Sequence, residues 1–488
     1  MSQGWSRRAF VAGLSAAGLG AFALRSRAQE APPLPVPPLL EGGGDRPIPL
    51  VAQPGTTEFF PGRASATAGF NGSFLGPTLR LRSGTEVPVR VRNDLQEPTT
   101  VHWHGLLVPS AVDGGPHNEI APGGTWSPLL PVRQPAMTGW YHAHPHMRTG
   151  PQVYAGLAGM LIVADGEEEA LRLPSRYGID DLPLVLQDRA FDRSGTLVYP
   201  RNHMTQMHGV HGNVMLVNGV RGPRARVPAG LVRLRLLNAA NARVFDLAFE
   251  DGRRFHWIAS DGGLLREPVP LESLVLAPGQ RAEIIVDFSR GGTAMLAHRA
   301  TSGLVPMVSF APSGRDDAPR ALPDRLARWD TPSAGQAVRR RRMTLTMGMS
   351  GMGGGMGMGG MGGMGGMGGM GGMGMMGQGI DGRPFDMARI DHEVRLGDVE
   401  IWQVSSQPGM MMDQPHPFHI HGVHFEVLRR DGGAPDPLDA GRRDTVLVDA
   451  PVDLLVRFTQ PAAQAPFMYH CHILEHEDAG MMGQFRVA

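Results

Sequence analysis

The stretch His470-Cys471-His472-Ile473-Leu474-Glu475-His476-Glu477-Asp478-Ala479-Gly480-Met481 contains the only cysteine of this 488-residue chain, with an imidazole on either side of it. In an extended segment successive side chains point to opposite faces, so His470 and His472 aim one way and Cys471 the other. Two metal centres can therefore be joined through adjacent residues. On the Cys471 side, His476 and Met481 follow within reach. Two imidazoles, a thiolate and a weak thioether form the ligand set of a blue-copper electron-transfer site, so one imidazole has to come from elsewhere in the chain. His416-Pro417-Phe418-His419-Ile420-His421-Gly422 offers it. If that segment is extended, His419 and His421 share a face while His416 can turn toward the thiolate.

Two further clusters, His102-Trp103-His104-Gly105 and His142-Ala143-His144, are again same-face pairs on a strand. With His416 and His476 assigned to the blue site, eight clustered histidines remain: His102, His104, His142, His144, His419, His421, His470 and His472. That is too many for one ion. One His-x-His pair among nineteen histidines would carry little weight, because an isolated histidine is usually a satisfied polar residue. Four clusters with the sole cysteine inside one of them form a mutually consistent context. His117, His146, His256, His298 and the remaining unclustered histidines take the ordinary reading.

Taken in order, these four segments resemble the multicopper oxidase family over essentially the whole mature chain. The resemblance implies four copper ions, three of them in a cluster where dioxygen is reduced to water. Matched motif by motif, it implies His102 and His419 as ligands of the type 2 copper. It implies His104, His142, His144, His421, His470 and His472 for the type 3 pair, and His416, Cys471, His476 and axial Met481 for the type 1 copper. It also implies proton-transfer roles for Asp113, in Val112-Asp113-Gly114-Gly115-Pro116, and for Glu477, which directly follows His476. From the residues alone, a carboxylate in a turn can equally be a solvated turn residue, and both readings stand.

The balance of 46 basic against 46 acidic residues gives no electrostatic case for nucleic acid or an anionic membrane surface. A single cysteine excludes an intrachain disulfide framework. At the N-terminus, Ser6-Arg7-Arg8-Ala9-Phe10-Val11 precedes an apolar Ala/Gly-rich run from Ala12 to Leu24 and the small-x-small site Ser26-Arg27-Ala28. Residues 1–28 look like a twin-arginine export signal. The expected partner is the twin-arginine machinery and the expected location the periplasm or beyond. The apolar run is too short and glycine-rich to span a bilayer, and no other segment approaches the length, so the mature protein is expected to have no integral membrane segment.

Beyond a Pro/Gly-rich stretch, Ala31 to Pro49, read as a flexible lead-in, the chain is a series of short alternating runs separated by Gly, Pro, Asn and Asp. Thr78-Leu79-Arg80-Leu81-Arg82 and Glu86-Val87-Pro88-Val89-Arg90-Val91-Arg92 have the period of strands. The pattern predicts an all-β protein built from sandwiches. The family resemblance makes these three cupredoxin-like Greek-key domains at 45–165, 170–315 and 335–488. The clustered histidines divide between the first and third blocks. The middle block holds no ligand cluster, and its Val217-Asn218-Gly219, Arg235 to Arg243 and Ala259 to Gly263 stretches resemble the middle domain of three-domain members. Ala311 to Arg342 is read as an inter-domain linker, with Arg339 to Arg342 as a solvated tether.

From Met343 to Met376 the chain carries thirteen methionines, largely as Gly-Gly-Met. Thioethers are soft neutral ligands suited to cuprous ion, and so much glycine disfavours a helix. The tract resembles the methionine-rich insertion of periplasmic cuprous oxidases, so an additional substrate copper is expected there; a ligand-free low-complexity tract or a core stripe are the alternatives. Met410-Met411-Met412-Asp413, Asp381 and Asp386 are further candidates for that site. The resulting expectation is an exported oxidase coupling one-electron oxidation of cuprous ion to reduction of dioxygen, in copper tolerance. The alternatives are a laccase acting on phenols or aromatic amines, and a copper-storage protein or copper-free cupredoxin scaffold.

Overall fold

In the computed structural model, residues 31–315, 321–348, 377–407 and 414–488 are described. The twin-arginine segment, the methionine tract beyond Gly348 and the run Met410 to Asp413 lie outside them. Among the described residues the long strands form six sheets, two drawn from residues 39–164, two from 181–315 and two from 339–487. Neighbouring strands in each sheet are mostly non-consecutive in sequence, and parallel pairs such as Ile48–Phe60 with Glu86–Asn93 mix with antiparallel ones. The chain thus crosses between facing sheets, as cupredoxin-like Greek-key sandwiches require. Each pair of sheets encloses its own apolar cluster, centred on Leu50, Val89 and Leu161, on Leu234, Ile284 and Phe310, and on Trp402, Phe418 and Leu454.

Strand Glu86–Asn93 shows how the sequence forms these layers, because Val87, Val89 and Val91 are buried while Arg90 and Arg92 face outward. Strand Leu231–Asn238 breaks the rule. Arg233 and Arg235 are buried there too, and can be because Glu168, Asp181 and Glu283 pair with them.

Three sequence expectations change. The lead-in is pinned: Leu39–Glu41 pairs in parallel with Thr78–Arg82, Asn218 donates to the Pro35 carbonyl at 2.8 Å, and Tyr177 to that of Pro37 at 2.9 Å. A proline-rich strand lacks amide donors, so neighbours donate to its carbonyls instead. The linker is also ordered where described. Strand Gly303–Arg315 lies inside a sheet of the middle sandwich, between Arg224–Ala229 and Ala294–Ala300, Leu326 is buried, and Trp329 lies beneath Arg266 and Arg442. The basic run Arg339 to Arg342 is the start of strand Arg339–Gly348, paired with Val399–Ser406, where Arg341 binds Glu400 and Arg340 binds Asp453. That strand carries Met343 into the core at 1% exposure, so the first residues of the methionine tract belong to the sandwich.

Candidate metal centre

Strand register assembles the site. In the first sandwich His102–His104 runs antiparallel to Met137–His142, with His102 opposite His142. In the third, His416–Ile420 runs antiparallel to Phe467–Cys471, setting His419 opposite His470 and Phe418 opposite Cys471. The pleat then separates two groups of side chains, as the alternation in the tripeptide requires. His470 and His472 sit on one side with ring centroids 5.6 Å apart. Cys471 Sγ lies on the other, 3.4 Å from His416 Nδ1 and 3.8 Å from His476 Nδ1, and the two nitrogens are 3.3 Å apart.

Met481 is fully buried in the same cluster as Cys471, and its backbone closes the loop: Cys471 N donates to the Met481 carbonyl and Met481 N to that of His476. Burial pushes the Cys471 thiol up and holds His416 down to about 4. A thiol is therefore favoured until a cation displaces its proton.

The eight other clustered histidines surround one buried space between the first and third sandwiches, all at 1% exposure or less. Each of six uses one ring nitrogen against a fixed acceptor, while His144 Nδ1 makes no hydrogen bond. His102 Nδ1 donates to the Asp113 carbonyl at 3.0 Å, His142 Nδ1 to that of Ala143 at 3.0 Å, His419 Nδ1 to that of Asp444 at 2.8 Å, and His470 Nδ1 to that of Cys471 at 3.0 Å. His421 Nδ1 donates to Asp113 Oδ2 at 2.7 Å and His104 Nε2 to Asp444 Oδ1 at 3.0 Å, while His144 Nδ1 lies 3.3 Å from Glu477 Oε1.

The opposite nitrogens are left without partners. His102 Nε2, His104 Nδ1, His142 Nε2 and His419 Nε2 are buried and unpaired, as are both nitrogens of His472. The Nε2 atoms of His144 and His421 point at His470 Nε2 from 3.3 and 3.2 Å. Since the Nδ1 atoms of His421 and His470 carry the protons, their Nε2 atoms face each other as lone pairs at 3.2 Å, an arrangement that a cation between them resolves. Burial keeps the imidazoles neutral: His104, His142, His144, His421, His472 and His476 are driven well below the usual histidine range and His419 to about 4. Neutral imidazoles with free, convergent nitrogens beside a thiol suit borderline and soft metals, copper above all for the His416–Cys471–His476 set. The donor set fits several copper sites.

Two glycines permit this approach. A Cβ on Gly114, at φ 84°, would lie 1.7 Å from the Val101 carbonyl oxygen, so only glycine lets the Asp113 turn close on the His102 strand. One on Gly279, at φ 82°, would lie 2.8 Å from His472 Cδ2.

The two acids picked out in the sequence both reach the site. Asp113 bridges toward His421 and His102, at 2.7 and 3.3 Å, and keeps Oδ1 unpaired. Glu477 lies 3.1 Å from His470 Nδ1; burial opposes its ionisation, but the neighbouring His144 and His470 hold it down to about 2.

Sequence reading missed Asp444 and Arg281. Arg281, buried in the middle sandwich, donates to both Asp444 carboxylate oxygens, at 2.7 and 2.5 Å, and to the Thr138 carbonyl at 3.1 Å. Neither lies in a histidine cluster, and their meeting depends on two distant strands. Asp381 is a turn residue accepting from Thr344 N at 2.8 Å. His117, His298 and His424 bond to Gln484, Asp246 and Gly105, in keeping with the ordinary reading.

Family models described as multicopper oxidase match residues 52–168 and 367–488. The chain is 37% identical to the cell division protein FtsP of Xenorhabdus nematophila, over 99% of this chain and 98% of that protein. The FtsP of Escherichia coli is also 37% identical, over the same shares. Among solved structures, a bacterial laccase-like multicopper oxidase, CueO from a lignin-degrading Ochrobactrum species, superposes with a TM-score of 0.84 at 40% identity, covering 93% of this chain and all of that one. McoA multicopper oxidase of Aquifex aeolicus gives 0.81 at 31% identity, covering 94% and 99%.

This chain belongs to the multicopper oxidase family. It is an oxidase-type enzyme with clustered histidine copper sites and dioxygen as acceptor. Among the described residues no helix is long and apolar enough to cross a membrane.

Proposed function

We propose that the protein is an exported, periplasmic oxidase that takes single electrons from cuprous ion and uses four of them to reduce dioxygen to two waters, so limiting copper toxicity. The observation that carries the oxidase reading is the complete set of free, convergent imidazole nitrogens next to the buried His416–Cys471–His476 set. His416, Cys471, His476 and Met481 would hold the type 1 copper, His102 and His419 the type 2, and His104, His142, His144, His421, His470 and His472 the type 3 pair. Bound there, copper supplies one-electron acceptance at the cysteine and dioxygen reduction at the histidine cluster.

The residues do the rest. Cys471 is covalently continuous with His470 and His472, which gives a short bonded path between the two sites. Asp113 and Glu477 stand against histidines of the cluster, where they relay the four protons that two waters need. Cuprous ion is favoured as donor by the methionine tract, whose thioethers bind it without losing a proton. Residues 1–28 direct export through the twin-arginine machinery.

Steady-state rates with cuprous ion and with a bulky phenol, before and after deletion of residues 349–376, test the donor. Loss of cuprous oxidation with a gain in phenol oxidation supports the reading; unchanged cuprous oxidation and no gain with phenol overturns it. The full-length similarity to FtsP favours a second reading, a cell-division protein. A copper content well below four per chain after loading, with no blue absorption, would support that one.

A further inference from the structure

The helix His203–His208 belongs to the middle sandwich, which supplies none of the ligands above, yet it covers one of them. The carbonyl of Met207 accepts a hydrogen bond from His476 Nε2 at 3.0 Å. The third sandwich grips the helix from two sides. Gln378, two residues beyond the end of the methionine tract, donates to the Gln206 carbonyl at 2.6 Å. Gln414, two residues before His416, donates to the His208 carbonyl at 3.1 Å and accepts from His208 Nδ1 at 3.0 Å. Asn202 caps the other end by accepting from Thr205 N.

The sequence held there is His203-Met204-Thr205-Gln206-Met207-His208-Gly209-Val210-His211. Residues three and four apart share a helical face, so Met204, Met207 and His208 form one row and His203 sits one turn before Met207. Packing does not account for these side chains. No residue of the helix is buried, Met204 is 61% exposed, and neither methionine joins a hydrophobic cluster among the described residues. Nor are the imidazoles fully engaged. His208 uses Nδ1 on Gln414, His211 uses Nε2 on the His208 carbonyl at 3.2 Å, and the His203 ring has no hydrogen bond. The three histidines make no chelating trio by themselves, so thioethers have to complete any site. Two thioethers with one or two imidazoles form a soft, neutral donor set, selective for a monovalent soft cation over its harder divalent product.

We propose that Met204, Met207 and His208, flanked by His203 and His211, form a receiving site for cuprous ion over the His416–Cys471–His476 set. The site rests on the cuprous reading above and adds to it a second element, built on the middle sandwich and separate from the methionine tract. A cuprous ion held there would give one electron through the Met207 carbonyl and the His476 hydrogen bond to the copper that His416, Cys471 and His476 would hold, and would leave as cupric ion, for which thioethers have less affinity. Four such transfers consume one dioxygen and four protons and yield two waters.

The test uses reduced, copper-loaded, full-length protein with methyl-labelled methionines, titrated with silver(I) as a redox-inert soft monovalent probe. The Met204 and Met207 methyl signals are assigned by their loss in Met204→Leu and Met207→Leu, and the blue absorption of the reoxidised protein shows that each variant keeps an intact His476 site. Both signals are expected to shift with the first equivalents of silver, and the double variant to raise KM for cuprous ion at least fivefold with kcat changed less than twofold. Signals that stay in place while the tract methionines shift, or a KM within twofold of the parent, overturn the proposal. Should the parent fail to oxidise cuprous ion at all, the donor assignment falls, and the silver titration alone decides the site.

Discussion

Asp444 acts on two histidines with different parts of one residue. Its carbonyl accepts from His419 Nδ1, and its carboxylate accepts from His104 Nε2 while Arg281 clamps both oxygens. The carboxylate thereby selects the tautomer that leaves His104 Nδ1 free for a metal. Asp444→Asn keeps the volume and the carbonyl but not a purely accepting side chain. It should lower copper content at the histidine cluster and cut turnover about 10- to 100-fold, while the blue absorption of the Cys471 site persists; full copper content with turnover within twofold of the parent would refute this role. Glu477→Gln should behave differently if Glu477 relays protons as proposed, with copper content intact and dioxygen reduction slowed by about 100-fold or more. If copper content falls instead, Glu477 is structural.

At the level of elements, strand Arg339–Gly348 draws a sharp line through the methionine tract. Met343 alternates inward with Leu345 and is buried beside Val404, whereas the Gly-Gly-Met repeats begin only after the strand ends. Met343→Ala should cost about 2–4 kcal/mol of unfolding free energy, measured by urea denaturation, and leave KM for cuprous ion unchanged. A raised KM without loss of stability would instead place Met343 among the substrate ligands. Sequence reading grouped Met343 with the repeats because residue type alone does not distinguish a core thioether from a ligand. Strand pairing with Val399–Ser406 makes the distinction.

For the whole molecule, burial of so many neutral imidazoles couples stability to pH. In the unfolded chain a histidine protonates near 6.5, whereas His416, His419 and His424 are held to about 4 when folded. Below pH 6.5 the unfolded state binds more protons, so their contribution is present above 6.5 and is lost as pH falls toward 4. Denaturation of the copper-free protein at pH 7 and pH 5 should show a loss of at least about 3 kcal/mol; no loss would mean that these rings protonate within the fold. The histidine clusters, the lone cysteine and the strand alternation were legible in the chain because they depend on residue type and a two-residue period, both local properties. The pairing of His419 with His470, the Arg281–Asp444 clamp and the helix His203–His208 laid over His476 were not. Each joins residues far apart in sequence, and only the packing of the sandwiches decides which distant surfaces share a buried space.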